Sequence, residues 1–207
     1  MTASNRAILT LGAALALGGC ISLFPKTPPA QLYRFGGDEA VASATAGSPR
    51  GFNVQRLPTG FERAADSDRI LTVDGDSVAY IAGARWAAPA AILFDQAETA
   101  AFERSAGPAR LLRTADSAAA PISLRLDVQT FEARYLAGPK AAPTVVVSVH
   151  ALLINALTRK VMADQLFEGQ AAASENRVGA IVQAYDAATA DVLGRIVEWT
   201  GREGAAG

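Results

Sequence analysis

The run Ile122-Ser-Leu-Arg-Leu-Asp-Val128 alternates apolar and polar side chains without a break. In extended backbone successive side chains point to opposite faces, so this run can bury one face and wet the other only as a β-strand. The apolar phase then moves to Phe131, Ala133 and Tyr135, and one inserted residue near Gln129–Thr130, a β-bulge, accounts for the shift. After a loop from Gly138 to Pro143, Thr144 to Ala156 is β-branched and apolar on both faces, the pattern of a central strand covered on both sides. Asn155 to Lys160 turns the chain and Val161 to Gly169 returns. The three runs predict an antiparallel meander. Its cover follows in sequence: over Ser174 to Thr200, Val178, Ile181, Val182, Tyr185, Val192, Ile196 and Trp199 line one side of a long helix. Arg177, Asp186, Asp191, Arg195 and Glu198 take the other side.

Upstream, Ile70 to Val73 and Val78 to Ile81 flank Asp74-Gly75-Asp76-Ser77, the signature of a hairpin. Gly83 is read as releasing the chain, and Arg85-Trp86 as a corner leading through Pro89 into a helix of about Ala88 to Ser105. Proline is tolerated in a first helical turn because its missing N–H has no intrahelical partner there. Ala90, Leu93, Ala97 and Ala101 share one face of this helix; Asp95, Glu98 and Glu103 fall mainly on the other, with Phe102 interrupting the stripe. Strands are also expected at Gln31–Phe35, at Phe52–Leu57, stopped by Pro58 and Gly60, and at Ala109–Arg113. The fold class predicted is α/β (α+β): one domain over residues 31–200, with a mixed, mostly antiparallel sheet ending in the meander. A central helix and a long C-terminal helix cover it, and 201–207 form a flexible tail.

The N-terminus carries one cation, Arg6, an apolar run from Ala7 to Leu17, and then Gly18-Gly19-Cys20. This is an export signal over 1–19, too short to span a bilayer, and Leu17-Gly-Gly-Cys20 fits the bacterial lipobox. Cys20 is the single cysteine, so no intramolecular disulfide competes for it. We therefore expect a covalent acyl/diacylglyceryl group on Cys20 and no other cofactor. Each buried methylene of such chains contributes about 0.8 kcal/mol, so the protein is tethered and does not span. Ile21, in place of the aspartate that signals inner-membrane retention, directs the expectation to the inner leaflet of the outer membrane, facing the periplasm. Residues 20–30, with Pro25, Pro28 and Pro29, form an extended spacer. A net charge of −1 and a pI near 5.9 do not mark the chain as a nucleic-acid binder, which needs a concentrated basic surface.

No nucleophile elbow, phosphate loop or dinucleotide fingerprint occurs, and no catalytic or metal-binding residue is assigned. His150 is the only histidine and has no second histidine or free cysteine to complete a metal site. Asp74 and Asp76 resemble a fragment of a calcium loop that lacks its later acidic ligand, and read as a solvated turn. Arg85 and Trp86 are the partner-binding candidates, since Trp and Arg are favoured interface anchors. Their structural role would be a plug at the hairpin–helix junction, with no acid at position 88 to pair Arg85.

Asp68-Arg69-Ile70, the strand pair with Tyr80, and Arg85-Trp86-Ala87 followed by Pro89 resemble the ABC-type transport auxiliary lipoprotein family. The sequence departs from the family at Ala88, usually an acid, and at Ala90, usually leucine. The resemblance implies a non-enzymatic auxiliary component of a lipid transport system. It implies as partners an MCE-domain subunit and an ABC permease/ATPase complex, with the membrane reached through the lipid anchor. Sheet edges and the flank of the last helix are candidate surfaces for partners or for a second copy of the chain; a generic envelope scaffold is the alternative reading.

Overall fold

The computed structural model describes residues 29–36, 51–112 and 118–206. The export signal, Cys20 and the spacer up to residue 28 lie outside the described residues, as does most of the expected loop 36–50.

The long strand β7 (Ile122–Arg134) is the axis of the sheet. Along one edge it pairs antiparallel with β8 (Thr144–Asn155), from Ile122 opposite Asn155 to Arg134 opposite Thr144. Strand β9 (Val161–Ala172) continues the meander antiparallel to β8. The other edge of β7 is shared end to end by three short strands, all parallel to it. They are β2 (Phe52–Arg56), β3 (Gly60–Phe61) and β4 (Arg69–Asp74). Strand β6 (Ala109–Leu112) lies parallel outside β2, β5 (Ser77–Trp86) antiparallel outside β4, and β1 (Gln31–Tyr33) parallel along the end of β5. The fold is thus α/β with one mixed sheet: its long ladders are antiparallel and its short joins parallel. Helices α1 (Ala90–Arg104) and α2 (Val178–Ala206) complete it.

The apolar phase change in β7 has its predicted cause. Its register against β8 shifts between Val128 and Thr130, so Ile122, Leu124, Leu126 and Val128 share the buried face with Phe131 and Ala133. The β4–β5 hairpin closes at Asp74 opposite Ser77, with Gly75 at φ +58. Only glycine adopts that conformation without cost to a Cβ.

Five expectations need correction. Strand β5 does not end at Gly83. The register against β4 shifts between Arg69 and Leu71, and the strand resumes with Arg69 opposite Arg85 and Gln31 opposite Ala84. Gly83, at φ +70, serves the bulge. Pro89 is the residue preceding α1 (ψ 139), outside its first turn. Glu98 and Phe102 belong to the buried face of α1 with Ala90, Leu93, Phe94 and Ala97. Phe94, Glu98 and Phe102 recur every fourth residue, so one carboxylate lies within an apolar row. The double cover expected for β8 is single. Val145, Val147, Val149, Ala151 and Leu153 are fully buried, while His150, Leu152 and Ile154 on the opposite face are only partly buried. Val146 and Ser148 on that face are buried among cross-strand neighbours Glu132, Thr130, Gln170 and Glu168; β-branching reports fit to a pleated surface, not a helix overhead. Last, residues 201–206 are helical. A Cβ on Gly204 would stand 2.6 Å from the Phe52 ring, and one on Gly201 3.2 Å from Pro108, so tertiary contact holds this final turn.

Helix α2 packs on β8 and β9, and its approach to β9 is set at Gly169. A Cβ there would meet Val192 Cγ2 at 2.6 Å and the Ala188 carbonyl oxygen at 2.9 Å. The backbone oxygen cannot swing aside, so Gly169→Ala is expected to cost about 1–3 kcal/mol by overpacking. A melting temperature equal to that of the parent chain would show that α2 is not seated this closely.

Candidate interaction surfaces

The Asp68-to-Pro89 segment builds a corner from its own residues. The Asp68 carbonyl accepts the Trp86 N–H at 2.7 Å, and the Asp68 carboxylate takes Arg85 Nη1 at 3.0 and 2.8 Å. Arg85 therefore pairs with Asp68, not with an acid at position 88. Next along, the Arg69 guanidinium lies 3.8 Å above the Tyr80 ring, a cation–π contact, and the Tyr80 hydroxyl donates to the Ala64 carbonyl at 3.0 Å. The Ser67 carbonyl accepts the Ala90 N–H at 2.9 Å, tying the start of α1 to the same loop. Trp86 is 2% exposed. Its ring meets Phe35 edge-on at 5.1 Å and Tyr185 edge-on at 5.2 Å, and Phe131 bridges Tyr185 at 4.8 Å and Phe61 at 5.4 Å. This cluster joins β3, β5, β7 and α2. Of the two partner-binding candidates, Trp86 faces the core and has no side-chain surface to offer, and Arg85 alone reaches solvent.

Glu98 is the titratable group the sequence reading misplaced. It is 0% exposed and neither carboxyl oxygen has a hydrogen-bond partner. Arg56 Nη1 stands 3.6 Å from Oε2 and 3.3 Å from Asp95 Oδ2, and Thr59 donates to Asp95 at 2.8 Å. Burial pushes the Glu98 carboxyl up to about 8; Arg56 opposes this and Asp95 adds to it. The phenol of Tyr185 is also buried. It donates to the Leu71 carbonyl at 2.7 Å, and burial raises it well above the ordinary tyrosine value. These groups are enclosed by the core and serve its packing.

His150 Nε2 lies 3.2 Å from Asp164 Oδ2 on the helix-free face of the sheet. Among the described residues no group of three His, Cys, Asp or Glu side chains is placed to hold a metal ion. Asp76 is exposed in its hairpin turn. No helix among the described residues is long and apolar enough to cross a membrane.

An open groove lies where the turn after α1 meets α2. About 500 Å³ is bounded by Gly107, Pro108, Val197, Gly201 and Arg202, and it runs on past Ala101, Ala190 and Gly194. Its small residues are bordered by the exposed polar side chains of Arg104, Glu198 and Arg202.

The family model for the ABC-type transport auxiliary lipoprotein component matches residues 33–197. The chain belongs to that family. Two solved structures show the same fold. Protein XCC0632 from Xanthomonas campestris, of family DUF330, is 23% identical with a TM-score of 0.66, covering 76% of this chain and 89% of its own. An uncharacterized protein is 11% identical with a TM-score of 0.63, covering 83% of this chain and 99% of its own. No curated protein matches. Of the residues that carry the family resemblance in sequence, Asp68, Arg69, Ile70, Tyr80, Arg85, Trp86, Ala87 and Pro89, the five Asp68, Arg69, Tyr80, Arg85 and Trp86 make the contacts of the corner in this auxiliary lipoprotein. Among the described residues Leu157 is the most exposed large hydrophobic, and the sequence reading assigned it no role. A leucine inside a predicted turn, followed by Thr158-Arg159-Lys160, was the available signal.

Proposed function

We propose that this auxiliary lipoprotein is a lipid-anchored, non-enzymatic component of an MCE-associated lipid transport system in the cell envelope, acting by binding protein subunits of the transporter. The observation that carries the reading is the family match over residues 33–197, set beside a lone cysteine at the end of an export signal. An acyl/diacylglyceryl group on Cys20 holds the chain at the inner leaflet of the outer membrane, and the proline-bearing spacer lets the domain stand off it. The partners are an MCE-domain subunit and the ABC permease/ATPase complex. Two features support a role without catalysis: the strongly perturbed carboxyl, Glu98, is closed off from solvent, and His150 pairs with one carboxylate, Asp164, among the described residues.

The test is crosslinking in cells followed by affinity purification of the lipidated chain from its native envelope. Recovery of an MCE subunit or ABC permease is the expected result. Recovery of the chain alone, or with peptidoglycan-linked proteins, would replace this reading with an envelope scaffold. A Cys20→Ser chain should leave the membrane fraction; if it stays there, the anchor is not at Cys20.

A further inference from the structure

The β8–β9 turn presents an exposed apolar residue, Leu157, followed by two cations, Arg159 and Lys160. Asn155 Oδ1 accepts the N–H groups of Leu157 and Thr158 at 3.1 and 2.9 Å, and the Asn155 carbonyl accepts the Arg159 N–H at 2.9 Å. The Asn155 N–H closes the turn on the Lys160 carbonyl. Arg159 is the one non-glycine described residue at positive φ, +59, a conformation that costs a side chain free energy and is retained here by those bonds. The result presents Leu157 91% exposed and Val161 54% exposed. Arg159 and Lys160 are both exposed and have no acidic partner among the described residues.

The register also places this tip away from the anchor. Leu32 pairs with Arg85, Arg85 with Arg69, and β4 runs beside β7 with Thr72 at Ala133, so β1 is level with Thr130. From there to Ile122, which faces Asn155, is roughly 27 Å of strand. β1 is parallel to β5 and antiparallel to β7 in direction, so the chain enters it from the end of the sheet opposite the tip. The spacer from Cys20 to Gln31 reaches at most about 40 Å fully extended. To bring the tip to the anchoring membrane it would have to double back along most of the domain. With the domain standing off its anchor, as in the transport reading, the end that receives the spacer faces that membrane and the tip is carried at the other end.

We propose that Leu157, Arg159 and Lys160 form a docking tip for a protein partner. That partner has an apolar socket rimmed by carboxylates, on the envelope-facing subunit of the transporter. The assignment rests on the transport reading above. Leu157 contributes by burying its apolar surface in the socket, and Arg159, a residue type favoured at interface anchors, with Lys160 selects an acidic rim and speeds encounter. Because Asn155 already orders the turn, little loop entropy is lost on docking.

The experiment places a photoreactive amino acid at Thr158, leaving Leu157 intact, in the full lipidated chain in its native envelope, with a matched probe at Leu136 in the β7–β8 loop at the other end of the sheet. The expected result is an adduct at 158, absent at 136, whose partner peptide belongs to a transporter subunit and is acidic. Leu157→Ser and the double variant R159E/K160E should each lower its yield about tenfold without moving the melting temperature. An adduct with phospholipid or with a second copy of the chain would overturn the proposal. So would no adduct at 158 while affinity purification still recovers the transporter subunit, which leaves the transport reading standing. If that purification fails as well, the transport reading falls and the docking assignment with it.

Discussion

Trp86→Ala is expected to lower the unfolding free energy by about 3–5 kcal/mol, the range for removing a buried large aromatic and leaving a cavity. The indole is 2% exposed and sits between Phe35 on the β1 side, Phe131 on β7 and Tyr185 on α2. Collapse into the vacated space would require several separate elements to move together, so much of the cavity would remain. The corner also loses its support: the Asp68–Arg85 pair stays half-exposed and contributes only about 0.2–1 kcal/mol, too little to hold the junction alone. Urea unfolding of parent and variant would measure this as a lower midpoint at unchanged slope. An unchanged midpoint accompanied by lost partner binding would mean that Trp86 is a contact residue and that the packed corner opens in solution.

The second large effect is a dependence on pH. The Glu98 carboxyl stands at about 8 in the folded chain against 4.5 ordinarily. Between those values the folded state keeps a proton that the unfolded state has released, so stability is greatest below about 4.5 and falls as pH rises towards 8. The loss from this group approaches about 1 kcal/mol per pH unit across that window. Glu98→Gln keeps the shape and the neutral form, so the difference between the two chains should be small at pH 5 and favour the variant increasingly up to pH 8. Unfolding curves for both at several pH values isolate this term from carboxylates elsewhere. If the two chains keep a constant difference over that range, Glu98 is solvated and its burial is not as described. Arg56 sets the converse case. Removing it takes away the cation beside both Asp95 and Glu98, and a buried acid left without it resists ionisation still more.

Much of this protein was legible as pattern. The meander of β7, β8 and β9, the bulge near Thr130, the hairpin closed at Gly75 and the long last helix all follow from periodicity and turn chemistry. Those are local properties of the backbone and need no knowledge of the rest of the chain. The resemblance that led to the family rested on Asp68, Arg85 and Trp86, which proved to be one corner bound together by a carboxylate and a backbone hydrogen bond. The residues most open to solvent were not legible in the same way. Leu157 drew no reading because exposure is a property of neighbours, and β8 looked doubly covered because valine fits a pleated sheet whether or not a helix lies over it. By itself the sequence determined most of the strands, the position of both helices and the presence of a single cysteine. Only the tertiary structure decided that β2, β3 and β4 share a single edge of β7, that both helices lie on one face, that Trp86 is inside, and that Glu98 is buried with Arg56 beside it. Those outcomes depend on contacts between residues far apart in the chain, where packing and desolvation outweigh any local preference.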